Sequence, residues 1–289
     1  MTKRKPDADK LSEAEAEEGR GAVRIGQVLP ELVQQPLPFW PDEDRAAPTM
    51  MLQSALFGCA VKGERPMVKD MALATWGSVT IRYTGERLDQ GDLDVWYELV
   101  HRSRDSLGHM VPVSAYSLLK AIGRSTGKTQ YEWLKRSLKR LQVCGVEVAR
   151  ADGRGYQGPL VAAFAFSERE RKYAFRLNPE LAELFKNEGF TRVVFETRLK
   201  LKTDTARWLH NYINTHRATY ERPHRVKLQT LHELIGSETK NMRAFRKRIR
   251  DTLEQLQEHG VVESWEVTDN DTVVIVRPDR NRQGALSFE

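Results

Sequence analysis

Apolar positions along this chain recur at two spacings, and the two alternate. Steps of three and four predict amphipathic helices over Asp92–Arg104 (Leu93, Trp96, Leu99, Val100), Thr129–Gln142 (Tyr131, Leu134, Leu138, Leu141), Thr205–Thr215 (Trp208, Leu209, Tyr212, Ile213) and Thr239–His259 (Met242, Phe245, Ile249, Leu253, Leu256). Shorter helices are expected at Val113–Ile122, with Ser114 as N-cap, at Pro179–Phe185 and at Leu228–Ile235. Steps of two predict strands at Ser78–Tyr83 and Tyr173–Leu177. Val146–Ala149 and Leu160–Phe166 flank the turn Asp152-Gly153-Arg154-Gly155 and are expected to pair as a hairpin. A closing hairpin is expected from Val261–Val267 and Thr272–Val276. Leu52–Ala60 reads as a short helix or strand, and Gly145 and Gly260 stop the helices before them.

The order of elements repeats. Trp96 precedes Ile122-Gly123 much as Trp208 precedes Ile235-Gly236. Leu138 and Leu141 precede Gly145-Val146 at the spacing by which Leu253 and Leu256 precede Gly260-Val261. Each copy reads helix, short helix, turn, amphipathic basic helix, hairpin. The expected class is α+β, with two tandem winged-helix domains, helix-turn-helix plus β-hairpin wing. The first covers 49–187 and the second 188–280. Residues 1–48, rich in Glu, Ala, Gly and Pro, are expected to be a disordered tail, and 281–289 a loose one. The apolar island Gln34–Trp40 is the exception in the first tail; it is either a docking peptide or a segment that folds back on the body.

Charge gives the repeat a partner. The chain of 289 residues carries a formal net charge of +6, and its pI near 9.3 favours an anionic ligand such as nucleic acid. The cations gather on the two long helices that end each copy. Lys128, Lys135 and Lys139 share a face with Arg136 beside them, and Arg243, Arg246, Lys247 and Arg250 form the equivalent row. A helix that buries one side and lines the other with cations fits the major groove. The competing reading of either helix alone is an ordinary solvated face, and the matching faces on equivalent helices argue against it. The candidate DNA-binding residues are Lys128, Thr129, Gln130, Lys135, Arg136 and Lys139, then Lys240, Asn241, Arg243, Arg246, Lys247 and Arg250, with Arg154 and Arg277 as hairpin contacts. Asn241 and Arg243, early in their helix, are placed near base edges, and the Lys-rich first face on phosphates.

Catalytic chemistry is not expected. Gly123–Lys128 has three residues between its glycines, where a phosphate-binding loop needs four, and it follows a helix. His232-Glu233 lacks the second histidine of a zinc protease, since position 236 is Gly. Two cysteines, Cys59 and Cys144, suggest neither a disulfide framework nor a Cys-rich zinc site. No metal or cofactor is expected, and no membrane partner, because no run of about 20 apolar residues occurs. A cytoplasmic location is expected.

From about Met50 to Pro278 the chain resembles the TrfA-type replication initiators of IncP-like plasmids. The resemblance rests on Ser54-Ala55-Leu56-Phe57, Tyr131-Glu132-Trp133-Leu134, Leu209–Thr215 and Lys240–Arg250. It implies binding of double-stranded origin DNA at direct repeats called iterons, opening of an adjacent AT-rich segment, and recruitment of the host replicative helicase and sliding clamp. It also implies a homodimer, formed through the first domain, in equilibrium with the active monomer. Gln34, Leu37 and Phe39 resemble a clamp-docking motif, although the prolines depart from its usual pattern. The alternative function is a tandem winged-helix transcriptional repressor.

Overall fold

The computed structural model of the chain describes residues 36–59, 64–151, 155–167, 169, 172–186 and 189–278. They begin with β1 (Asp44–Pro48), α1 (Thr49–Leu52), β2 (Phe57–Gly58), β3 (Met67–Leu73), β4 (Thr80–Glu86) and β5 (Leu88–Asp89). A first helix–strand–helix–helix order follows: α2 (Gln90–Ser103), β6 (Val111–Ser114), α3 (Ala115–Ala121) and α4 (Lys128–Val143). After β7 (Gly145–Ala149) and β8 (Gly155–Gly158) comes the hairpin β9 (Ala163–Ser167) and β10 (Lys172–Arg176). A connector runs through the 3-10 turn Pro179–Leu181, α5 (Ala182–Phe185), β11 (Phe190–Val194) and α6 (Phe195–Lys200). The order then recurs as α7 (Asp204–Asn214), β12 (His224–Lys227), α8 (Leu228–Leu234), α9 (Met242–Glu258), β13 (Ser264–Val267) and β14 (Thr272–Val276).

The two copies agree in their sheets as well as in their order. Each is antiparallel with three strands, β6-β10-β9 in the first and β12-β14-β13 in the second. Tyr173 lies opposite Val113 and Phe166, and Val273 holds the same central place between Val226 and Val267. Local signals start the helices as their sequences predict. Asp89 accepts from the backbone N–H of Gly91 and Asp92, while the Asp92 carboxylate accepts from the N–H of Asp89, a closed capping box on α2. Ser114 and Thr203 cap α3 and α7 more simply, each side-chain oxygen accepting one backbone N–H, of Ser117 and Ala206.

The structure overturns three expectations. Val146–Ala149 and Leu160–Phe166 do not form a hairpin. Strand β7 pairs with β4 and β8 in a separate sheet, β3-β4-β7-β8, where Val146 and Val148 face Tyr83 and Ile81. Alternation marks a strand but not its partner. Strand β7 forms its hairpin with β8, whereas Leu160–Phe166 leads into β9, which pairs with β10 in a second hairpin. Arg154, expected as a contact on that hairpin, lies outside the described residues. Second, β3 was not foreseen, because most of its positions are exposed and carry no apolar alternation.

The third correction concerns the tail expected to run to residue 48. From Pro36 onward it is built into the body. Leu37 and Trp40 are buried, and the Trp40 ring stacks on Phe185 at 6.2 Å and donates Nε1–H to His101 Nδ1 at 3.1 Å. Strand β1 pairs with β11, from Asp44 opposite Val194 to Pro48 opposite Phe190. An apolar run in a polar stretch is covered here by partners far along the chain. Residues 1–35 and 279–289, the parts of both expected tails that remain, lie outside the described residues.

Two apolar cores result. One gathers Leu37 through Phe195 and the other Leu201 through Ile275. Side chains cross between them: Trp208 donates its indole N–H to the carbonyl of Ser54 at 3.1 Å, and Trp76 packs against the second core. Among the described residues, no helix is long and apolar enough to cross a membrane.

Candidate nucleic-acid interface

Helix α9 is anchored by one face. Phe245, Ile249, Leu253 and Leu256 are fully buried, and the edge of His232 meets the Phe245 ring at 4.9 Å. Asn241 sets its start, its side-chain oxygen accepting the N–H of Ala244 at 3.0 Å. The opposite face is in solvent. Lys240 and Arg243 are exposed and have no hydrogen-bond or ion-pair partner among the described residues. Lys247 is exposed and pairs with Asp251 at 2.8 Å, which raises its ammonium pKa and keeps it charged.

The basic row predicted as one face divides in two. Arg246 turns to the hairpin, pairing with Asp271 at 3.0 Å and donating to the carbonyl of Thr268. Arg250 remains exposed but donates to the carbonyl of Val267 at 3.3 Å. These two arginines tie the β13–β14 hairpin to its helix. Arg277 is also committed within the protein, donating to the carbonyl of His216 at 2.8 Å and to Asn214 Oδ1 at 2.8 Å. Asn241 is exposed, yet its carbonyl oxygen is engaged in the cap. A bidentate contact to adenine needs that oxygen and the amide nitrogen together; the cap leaves the nitrogen.

Helix α4 occupies the equivalent position in the first copy. Leu134, Ser137, Leu138 and Leu141 are buried, whereas Lys128, Thr129, Lys135, Arg136 and Lys139 are exposed. The Lys135 ammonium sits 4.6 Å from the centroid of Phe166 on β9, a half-exposed ring beside the basic face. Gln130 is half-buried and accepts from Arg124 Nη1 at 3.1 Å. Arg140 points the other way, bonding Asp92 Oδ1 at 2.7 Å under the helix, next to Ser137 Oγ on the same oxygen at 2.6 Å. Helical phase explains this: Arg140 lies about 100° around the axis from the neighbouring cation Lys139.

Two cations escaped the sequence reading. Arg124 lies flat on Trp133, its guanidinium carbon 3.5 Å from the ring centroid, and stiffens the approach to α4. Arg248 is exposed on a third face of α9, along a cleft of about 640 Å³ that also includes Cys59, Thr205 and Glu238. A basic run adjoining Arg248 was the available signal; its phase on the helix separated it from the row. His232, the start of the incomplete zinc motif, holds the carbonyl of Thr239 at 2.8 Å, a structural bond in the α8–α9 turn. Among the described residues no group of three or more His, Cys, Asp or Glu side chains is placed to hold a metal.

Of the clamp-like segment, Gln34 lies outside the described residues. Leu37 is buried, with its N–H bonded to the carbonyl of Arg104 at 2.9 Å, whereas Phe39 is 81% exposed.

The family model described as TrfA protein matches residues 15–277. The plasmid replication initiator protein TrfA of Escherichia coli is 27% identical over 240 residues, covering 80% of this chain and 61% of that protein. The chain thus spans about three-fifths of the length of that curated relative. Crystal structures of domains 2 and 3 of RctB share the fold, with TM-scores of 0.57 and 0.53 at 14% and 12% identity, each covering 80% of this chain and 98% of the other. A Pi initiator protein crystallised with iteron DNA matches with a TM-score of 0.49 at 12% identity, over 64% of this chain and 92% of its own.

Proposed function

This chain belongs to the TrfA protein family, its family model covering residues 15–277, and on that premise we propose that it initiates plasmid replication by binding direct-repeat iterons in duplex DNA. One observation carries the reading: the same helix–strand–helix–helix–hairpin unit occurs twice, and in both its long final helix turns an exposed basic face outward. We read each unit as a winged helix whose α4 or α9 lies in a major groove, with the β9–β10 or β13–β14 hairpin as its wing.

The two units divide the work. In the second (188–280), Arg243 reads base edges and Lys240 and Lys247 hold phosphates, while Arg246 and Arg250 fix the wing. In the first (49–187), Lys128, Lys135, Arg136 and Lys139 grip the backbone, because an ammonium is a point charge with no forked geometry to match a base. Membership of an initiator family supports the further steps: opening of an adjacent AT-rich segment, recruitment of the host helicase and clamp, and exchange between dimer and monomer. Clamp docking through the N-terminal segment would use Phe39 as placed, and would require Leu37 to leave its pocket.

Footprinting on a DNA fragment carrying the plasmid's own origin tests the reading. The expected result is a set of protected direct repeats, each about two helical turns long, beside AT-rich sequence. Protection of a single palindrome over a promoter would instead identify a repressor.

A further inference from the structure

Between the two cores lies a buried polar cluster to which neither reading helix belongs. Arg198, on the connector helix α6, is fully buried, and each of its five N–H donors has an acceptor. Nε donates to Asp94 Oδ1 at 2.6 Å. Nη1 donates to the carbonyl of Arg207 at 3.1 Å and to Asn211 Oδ1 at 3.2 Å. Nη2 donates to the carbonyl and to the side-chain oxygen of Gln90, both at 3.1 Å. Gln90 and Asp94 come from α2 of the first copy, and Arg207 and Asn211 from α7 of the second. Arg207 closes the ring on Asp94 Oδ2 at 3.1 Å, and Tyr97 donates its hydroxyl to Asn211 at 3.2 Å. Gln90, Asp94, Tyr97, Arg198 and Asn211 are all at most 2% exposed.

We propose that this Arg198-centred cluster fixes the pose of α4 relative to α9, and so sets the helical spacing that the protein accepts between the two parts of its DNA site. Apolar contacts let packed helices slide at small cost, but a buried guanidinium cannot: any shift strands a charge or donors away from water. The cluster reaches both readers. Helix α2 carries α4 through Asp92, Ser137 and Arg140, and α7 packs directly on α9. Arg198 is therefore a positioning residue, acting on DNA through two helices that it does not touch.

The inference rests on the iteron reading, and two measurements separate the two. In the first, labels at the exposed positions Val143→Cys and Glu258→Cys report the distance distribution between the ends of α4 and α9 by double electron resonance without DNA. Cys59→Ser and Cys144→Ala remove the native thiols in every sample, so that only the two introduced cysteines carry label. The distribution is narrow in the otherwise unchanged chain and broad in Arg198→Met and in the paired variant Asp94→Leu/Arg198→Met, which removes both fully buried charges and unpairs only Arg207, a partly exposed side chain that can turn to water, so that the fold is kept.

In the second, binding is compared on the footprinted repeat and on the same repeat with one base pair inserted between its two halves, a rotation of about 34–36°. The unchanged chain loses roughly 5- to 150-fold, the cost of at least one broken base-pair contact, whereas the folded variants lose less than about 3-fold. A narrow distribution in both variants, or undiminished discrimination against the insertion, overturns the proposal. Absence of any specific repeat overturns the iteron reading instead, and the distance measurement then decides the role of Arg198 alone.

Discussion

The division of the α9 cations can be tested by two neighbouring truncations with opposite signatures. Arg243 is exposed and makes no hydrogen bond or ion pair among the described residues, so Arg243→Ala should leave stability within about 0.5 kcal/mol of the parent. If its guanidinium pairs with a guanine edge, specific binding falls by ~1–3 kcal/mol, about 5- to 150-fold, while affinity for random duplex changes little. Arg246→Ala removes an ion pair at 3.0 Å between partly exposed partners and a hydrogen bond to Thr268. The first contributes ~0.2–1 kcal/mol after solvent screening and the second about 1 kcal/mol. Their loss should lower the melting temperature by roughly 2–8 °C, at ~2–4 °C per kcal/mol for a chain of this size. Thermal melts and salt-titrated binding to specific and random duplexes read both quantities. Equal loss on both DNAs for Arg243→Ala would refute the base contact, and an unaltered melt for Arg246→Ala would refute the hairpin-anchoring role.

Three further outcomes follow from the same geometry. Asn241→Ala should cost ~1 kcal/mol through the lost cap, and Asn241→Ser should restore stability, as urea melts will show; no rescue would mean that the side chain acts elsewhere. Lys135→Ala should weaken binding to all duplexes alike and reduce the slope of log K against log salt by about one; a sequence-dependent loss contradicts a phosphate role. Burial lowers the pKa of His216 and brings His224 down to about 4, with the two rings in contact at 3.8 Å. The unfolded chain takes up these protons near 6.5 and the folded one resists them, so stability is full above about 6.5 and falls as pH drops toward 4. Denaturant midpoints from pH 8 to 5 should show that decline, and His224→Gln should flatten it; an unchanged slope would show that other groups set it.

Much of the architecture was readable from spacing alone, because each element carries its own pattern. The phase of Phe245, Ile249, Leu253 and Leu256 shows which face of α9 is buried, and Ser114 marks the start of α3. What could not be read was pairing. Val146–Ala149 has the alternation of a strand, but pairs with β4 and β8 and not with Leu160–Phe166, because partners are chosen by global packing. The apolar island Gln34–Trp40 fits either a docking peptide or a segment folded back on the body, and the burial of Leu37 and Trp40, the latter against Phe185 and Phe190, selects the second for these two residues. The basic row on α9 was visible, but not that the hairpin would claim Arg246 and Arg250.

The sequence by itself therefore determined the repeat, the helix faces and the position of the positive charge, since all three follow from local periodicity and residue type. Only the tertiary structure decided which cations remain free for DNA and how the two units are joined. Those depend on partners such as Asp271 for Arg246, and Asp94 and Gln90 for Arg198, which lie far along the chain from the groups they hold. Burial gives such long-range contacts their strength, and no local spacing encodes it.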